Sequence, residues 1–163
     1  MRSLVISGLA FWLLLLPQWG QNNITLFGEG PPPLAYTTRT KRAGARLNYY
    51  NFFLRLPNRQ VAELQLVYPE GLGGLFQDDS IEVFDRLTDK KIPVQEVRID
   101  REGRGVRLIF AEPIPGTRKE LEIRITGVNN PPQRGMYQVV VQALGTEANP
   151  LFQTLGRWLV DID

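Results

Sequence analysis

The sequence predicts an all-β protein: an immunoglobulin-like antiparallel β-sandwich of about seven to eight strands, with a small barrel as the competing architecture. Three observations predict it. Beyond residue 21 apolar residues recur with a period of two, and turn-forming Pro, Gly, Asn and Asp separate these runs at short intervals. No stretch of about 12 or more residues there carries the 3.6-residue period of an amphipathic helix.

The first segment stands outside that sandwich. Arg2 supplies a short positive start, Leu4 to Leu16 is an unbroken run of 13 apolar or small residues, and Pro17, Gln18 and Gln21 end it. This is the anatomy of a signal peptide over residues 1–21, and the run is short for a bilayer span of roughly 20 residues. No small-x-small cleavage site stands before Gln21, so an uncleaved anchor is the alternative to cleavage. Residues 22–45 are expected to form an extended Pro-rich lead-in along the sandwich edge. Pro31, Pro32 and Pro33 disfavour strand pairing, and 46–163 is the β-sandwich domain. The Asn23-Ile24-Thr25 triplet fits a glycosylation sequon, which such short matches meet by chance.

Eight runs within 46–163 read as strands. Arg46 to Leu56 is apolar on both faces, as a central strand is. Leu64, Leu66 and Tyr68 alternate with Glu63, Gln65 and Val67. The same pattern holds for Ile81 to Phe84, for Val97 and Ile99, for Val106, Leu108 and Phe110, and for Leu121, Ile123 and Ile125. It returns in Tyr137, Val139, Val141 and Ala143 and again in Trp158, Val160 and Ile162. Turns are expected at Pro69-Glu70-Gly71, Asp89-Lys90-Lys91, Glu102 to Gly105, Pro113 to Gly116 and Asn129 to Pro132.

Composition narrows the chemistry. With 43% hydrophobic and 22% charged residues a packed core is expected, and a net charge of +2 is too small to indicate nucleic acid. There is no His and no Cys. That removes the Ser-His-Asp and Cys-His nucleophiles and nearly all zinc sites, so no enzyme activity, catalytic residue, cofactor or metal is expected. A hydrolase resting on two carboxylates is the surviving enzymatic alternative.

Arg39, Lys41, Arg42 and Arg46 crowd four cations into eight residues, a candidate anion-binding patch, although charge runs are commonly just solvated surface. Asp78, Asp79, Glu82 and Asp85 follow a glycine-rich turn. Their spacing fits no EF-hand, and a surface turn accounts for them. Tyr49, Tyr50, Phe52 and Phe53 are expected mainly in the core. Exposed and coplanar, they would instead suit sugar stacking.

Several stretches resemble a known family. They are Leu47 to Leu56 followed by Pro57, the turn Glu112-Pro113-Ile114-Pro115-Gly116-Thr117, then Gly127-Val128-Asn129-Asn130-Pro131, Gly135-Met136-Tyr137-Gln138-Val139 and Asn149-Pro150. In that order they are similar to the secreted cyanobacterial family called domain of unknown function 2808. The resemblance implies an exported β-rich domain in the periplasm or outside the cell, with no assigned activity and no site residues to carry over. The expected function is therefore a non-enzymatic cell-envelope binding or assembly module. Its partner would be an envelope protein or a surface polysaccharide, with membrane contact only through an uncleaved N-terminus. A carbohydrate-binding module is the close variant.

Overall fold

The computed structural model describes residues 33–117 and 120–163; the segment read as a signal at 1–21, and the lead-in before Pro33, lie outside the described residues. Among the described residues there are ten strands. They are β1 (Tyr36–Thr38), β2 (Asn48–Arg55), β3 (Val61–Val67), β4 (Ile81–Asp85) and β5 (Lys90–Ile92), then β6 (Val94–Asp100), β7 (Gly105–Ile114), β8 (Glu120–Val128), β9 (Gly135–Leu144) and β10 (Gln153–Ile162). Two sheets form, ordered β1-β2-β8-β4-β5 and β10-β9-β3-β7-β6, with every strand pair antiparallel. The fold is the expected sandwich and not a closed barrel. Strands β1, β2, β8 and β4 hold the places of A, B, E and D in an immunoglobulin domain, and β3, β9 and β10 those of C, F and G.

The eight runs read from alternation became the eight long strands. The two additional ones, β1 and β5, have three residues each and are too short to show a period. Lys90 and Lys91, expected in a turn, pair with Asp85 and Phe84, and Tyr36 to Thr38 of the lead-in pair with β2. Strand β2 begins at Asn48 and not at Arg46, because Leu47 takes a left-handed φ of 53° that breaks the extended run.

Alternation dictates the core. Tyr50, Phe52 and Leu54 of β2 face inward, as do Leu64 and Leu66, Val106 and Leu108, Leu121, Ile123 and Ile125, and Val139 and Val141. Trp158 of β10 lies fully buried with its ring 4.9 Å from Phe52, and its indole N–H donates to the Ala35 and Phe53 carbonyls at 3.1 and 3.0 Å. A buried indole thus gains both a large apolar contact and a partner for its polar atom. The chain crosses from one sheet to the other at Pro93, which alone separates β5 from β6. In the turn after β7 only glycine fits at 116, since a Cβ there would stand 2.6 Å from the Arg59 nitrogen.

The edge beside β10 is closed by the lead-in. Leu34 N–H donates to Arg157 O, the Asp161 N–H donates to the Tyr36 hydroxyl, and Asp163 N–H donates to Lys41 O. Residues 33–43 therefore lie against β10 at one end, pair with β2 as β1, and return to β10. At the opposite side β6 is an edge strand whose exposed Glu96 and Arg98 pair with each other, and such charges discourage pairing with another chain.

Burial pushes the Tyr50 phenol up to about 12, against favourable hydrogen bonds that pull the other way. The folded state thus keeps this proton at a pH where the unfolded chain, with a phenol near 10, has lost it. Stability is present below pH 10 and falls as pH rises towards 12, by roughly 2–3 kcal/mol for a shift of that size. Urea unfolding measured from pH 9 to 12 is expected to show this decline, and a smaller one in Tyr50→Phe.

Candidate functional site

Strand register gathers four segments at one end of the sandwich. Asn48 pairs with Val128, Val67 with both Gly105 and Val140, and Ile162 with Gly135. The connections that leave these positions are 39–47, 68–80, 101–104 and 129–134, together with Asp163. Loops at a sandwich end are free to carry function while the sheets hold them in place.

The predicted patch lies on the first of these connections. Arg39, Lys41, Arg42 and Arg46 are all exposed, and residues 36–42 with Asp163 line a shallow cleft of about 590 Å3. Lys41 is engaged by Asp161 at 3.3 Å, and this hydrogen bond raises its pKa. Among the described residues Arg39, Arg42 and Arg46 have no acidic partner.

A buried polar network holds this loop. The Asn130 Oδ1, on a side chain only 4% exposed, accepts from Asn48 Nδ2 at 2.6 Å and from the Tyr50 hydroxyl at 2.7 Å. Its Nδ2 donates to the carbonyls of Thr40 and Arg42 at 3.1 and 2.8 Å. Asn48 Nδ2 also donates to Thr40 O, and Asn48 Oδ1 accepts from Thr40 N–H. Gly44 N–H donates to Pro131 O, Asn130 N–H to Ala45 O, and Ala43 N–H to Asp163 O. A loop tied by this many bonds has its backbone held in place, which sets where its arginines emerge.

A second concavity, of about 360 Å3, sits between the 68–73 connection and the β6–β7 turn. Tyr68, Glu70, Gly73, Arg101, Glu102 and Arg104 face it. Tyr68 is 4% exposed, yet its hydroxyl has no hydrogen-bond partner among the described residues. Burial raises its pKa. Nothing in sequence distinguished Tyr68, which fits the alternation of β3 as one more core residue. Its signal is the orphaned hydroxyl, visible only in three dimensions.

The other candidates are dispersed. Asp78 and Asp79 stand exposed in a 3₁₀ turn, Glu82 pairs with Lys91 at 2.6 Å, and Asp85 accepts from the backbone N–H groups of Leu87 and Thr88. Among the described residues no three carboxylates gather as a metal site. Of the aromatic group, Tyr50 and Phe52 are core, Phe53 lies beneath Arg86 at 4.5 Å, and Tyr49 is 40% exposed. Phe84 is likewise covered, by Arg124 at 3.9 Å. No coplanar exposed pair exists for stacking sugars among these residues.

The family described as "Protein of unknown function (DUF2808)" matches residues 24–162. The chain belongs to this family. No curated protein matches it. Among solved structures, this DUF2808 domain is similar to BslA, a bacterial hydrophobin, at a TM-score of 0.50 and 15% identity, covering 82% of this chain and 95% of that one. It is also similar to a DUF4466 family protein from Parabacteroides merdae, with a TM-score of 0.46, 11% identity and coverage of 80% and 45%. A collagen-binding domain from a Staphylococcus aureus adhesin gives 0.33, 10%, 70% and 87%. At such identities the first likeness is one of fold alone.

Asn130→Ala leaves the buried Asn48 amide, the Tyr50 hydroxyl and two carbonyls short of partners, which is expected to cost about 3 kcal/mol in chemical denaturation. Hydrogen exchange is expected to quicken at the Ala43 and Gly44 amides while the β3 and β9 amides stay protected.

Proposed function

We propose that this domain is a non-enzymatic binding module of the cell envelope, acting outside the cytoplasm, and that its cationic end takes an anionic surface polymer. The observation that carries the reading is the trio Arg39, Arg42 and Arg46, unpaired among the described residues and mounted on a loop fixed from beneath by Asn48 and Asn130. A loop whose charges served solubility alone needs no such support. A held backbone has less freedom to lose on binding a polyanion, and guanidinium groups suit carboxylate and phosphate oxygens.

Two facts weigh against the other readings. Glu70 and Glu102, the two acids of the smaller concavity, both stand in solvent, unlike the enclosed acid of a carboxylate-dependent hydrolase. The covered faces of Phe53 and Phe84 weigh against a module that stacks neutral sugars on those rings. A protein partner with an acidic surface is the second reading, favoured by the exposed Leu47 and Tyr49 beside Arg46.

Alginate binding measured across a salt series tests the proposal. Replacing Arg39, Arg42 and Arg46 together by Gln is expected to weaken binding about 10–100-fold at low salt, since three exposed charges contribute about 0.5–1 kcal/mol each. The salt dependence should flatten as well. Equal binding by variant and parent at every salt concentration would end the reading.

A further inference from the structure

The concavity beside Tyr68 shows the marks of a second, more selective site. Its volume of about 360 Å3 lies within the range of small-ligand pockets. A buried hydroxyl without a partner costs stability, and Tyr68 is such a group: its ring packs on Phe76 at 4.7 Å, and its Oη is shielded yet unbonded. Phenylalanine would fill the same space without that cost. Gly73 borders the phenol so closely that a Cβ there would lie 3.4 Å from the ring and 3.9 Å from the hydroxyl, so on this side backbone alone covers Tyr68.

The opposite wall carries a second local cost. Arg104 adopts a φ of 53°, whereas its neighbours Gly103 and Gly105, which would hold a left-handed conformation freely, do not occupy it. An arginine in that region is disfavoured by about 1 kcal/mol or more, and such strain clusters at functional sites. Its carbonyl is held by Tyr68 N–H at 3.0 Å, so the strained residue and the orphaned phenol belong to one hydrogen-bonded pair of segments. Neither Arg101 nor Arg104 has an acidic partner among the described residues.

We infer that this concavity binds a single hydroxylated carboxylate unit, a uronic acid residue, with its carboxylate on Arg101 and Arg104. Its hydroxyl groups would bond the Tyr68 hydroxyl and the Glu70 and Glu102 carboxylates. The pairing of two cations with two anions and a phenol in one small site selects the class. A simple inorganic anion would use the arginines but offer the glutamates no row of hydroxyl donors, and a neutral sugar would leave the arginines unsatisfied. The inference rests on the polymer reading only in that the partner is anionic. The side chains are different ones, so the two are separable.

Titration calorimetry of the full domain with D-galacturonate and trigalacturonate, with galactose and inorganic phosphate as controls, tests it. Saturable uronate binding is expected, with galactose and phosphate at least tenfold weaker. Tyr68→Phe and Arg104→Gly are each expected to lose tenfold or more in affinity while the free protein melts higher than the parent, because each substitution removes a local cost. A role confined to structure would lower the melting temperature instead. The Arg39, Arg42 and Arg46 to Gln variant should bind galacturonate like the parent. Absence of uronate binding, unchanged affinity in both Tyr68→Phe and Arg104→Gly, or phosphate binding as tightly as uronate would each overturn the inference, while alginate binding through the arginine trio would stand or fall on its own variant.

Discussion

The side chain of Asn130 is the point on which the loop end depends. One carboxamide accepts from Asn48 and Tyr50, both on β2, and donates to Thr40 and Arg42 on the loop that precedes it. Its own backbone lies on the crossing from β8 to β9. The loop, the strand it leads into and a crossing 80 to 90 residues further along thus meet at a group that is almost wholly buried. A hydrogen bond contributes about 1 kcal/mol when made, but a buried polar atom left unmatched costs more, so the network favours one arrangement over all partial ones. Wrong registers of β2 against β8 would strand these amides in an apolar interior.

The same economy of polar groups governs the margin of the sandwich. Strand β10 has a free side that would otherwise expose a ladder of backbone donors and acceptors, and residues 33–43 occupy it from Arg157 to Asp163. Trp158 fastens this cover from within by donating to Ala35 O. Removal of apolar surface and satisfaction of backbone groups therefore occur at one place. The outer face of the other sheet is handled differently, with Arg86 and Arg124 lying over phenylalanine rings and bridging to Glu120, Glu122 and Asp89. Those charges are spent on one another, which leaves the loop-end arginines as the accessible ones.

Alternation made the long strands legible, because half-buried strands must place apolar side chains at every second position, as Leu121, Ile123 and Ile125 do. It was silent on β1 and β5, whose three residues include the exposed Thr37, Lys90 and Lys91 and owe their pairing to neighbours instead of to pattern. The early start expected for β2 failed on a single backbone angle at Leu47, which no residue preference foretells. The cationic cluster was visible as composition, but the support beneath it was not, since Asn129-Asn130-Pro131 reads as ordinary turn chemistry. The Tyr68 concavity was hidden for a related reason. Its walls come from the end of β3 and the β6–β7 turn, and only the pairing of Val67 with Gly105 brings them side by side.

The order of strands also makes the fold strongly non-local. Strand β2 finds its main partner only when β8 exists, and β3 needs both β7 and β9 to be flanked. Trp158, which closes the core, sits among the last residues. Contacts between residues so distant in sequence make for slow folding. A polypeptide built this way closes its two sheets only when segments far apart in sequence are present together, so loss of any one central strand undoes pairings on both of its sides.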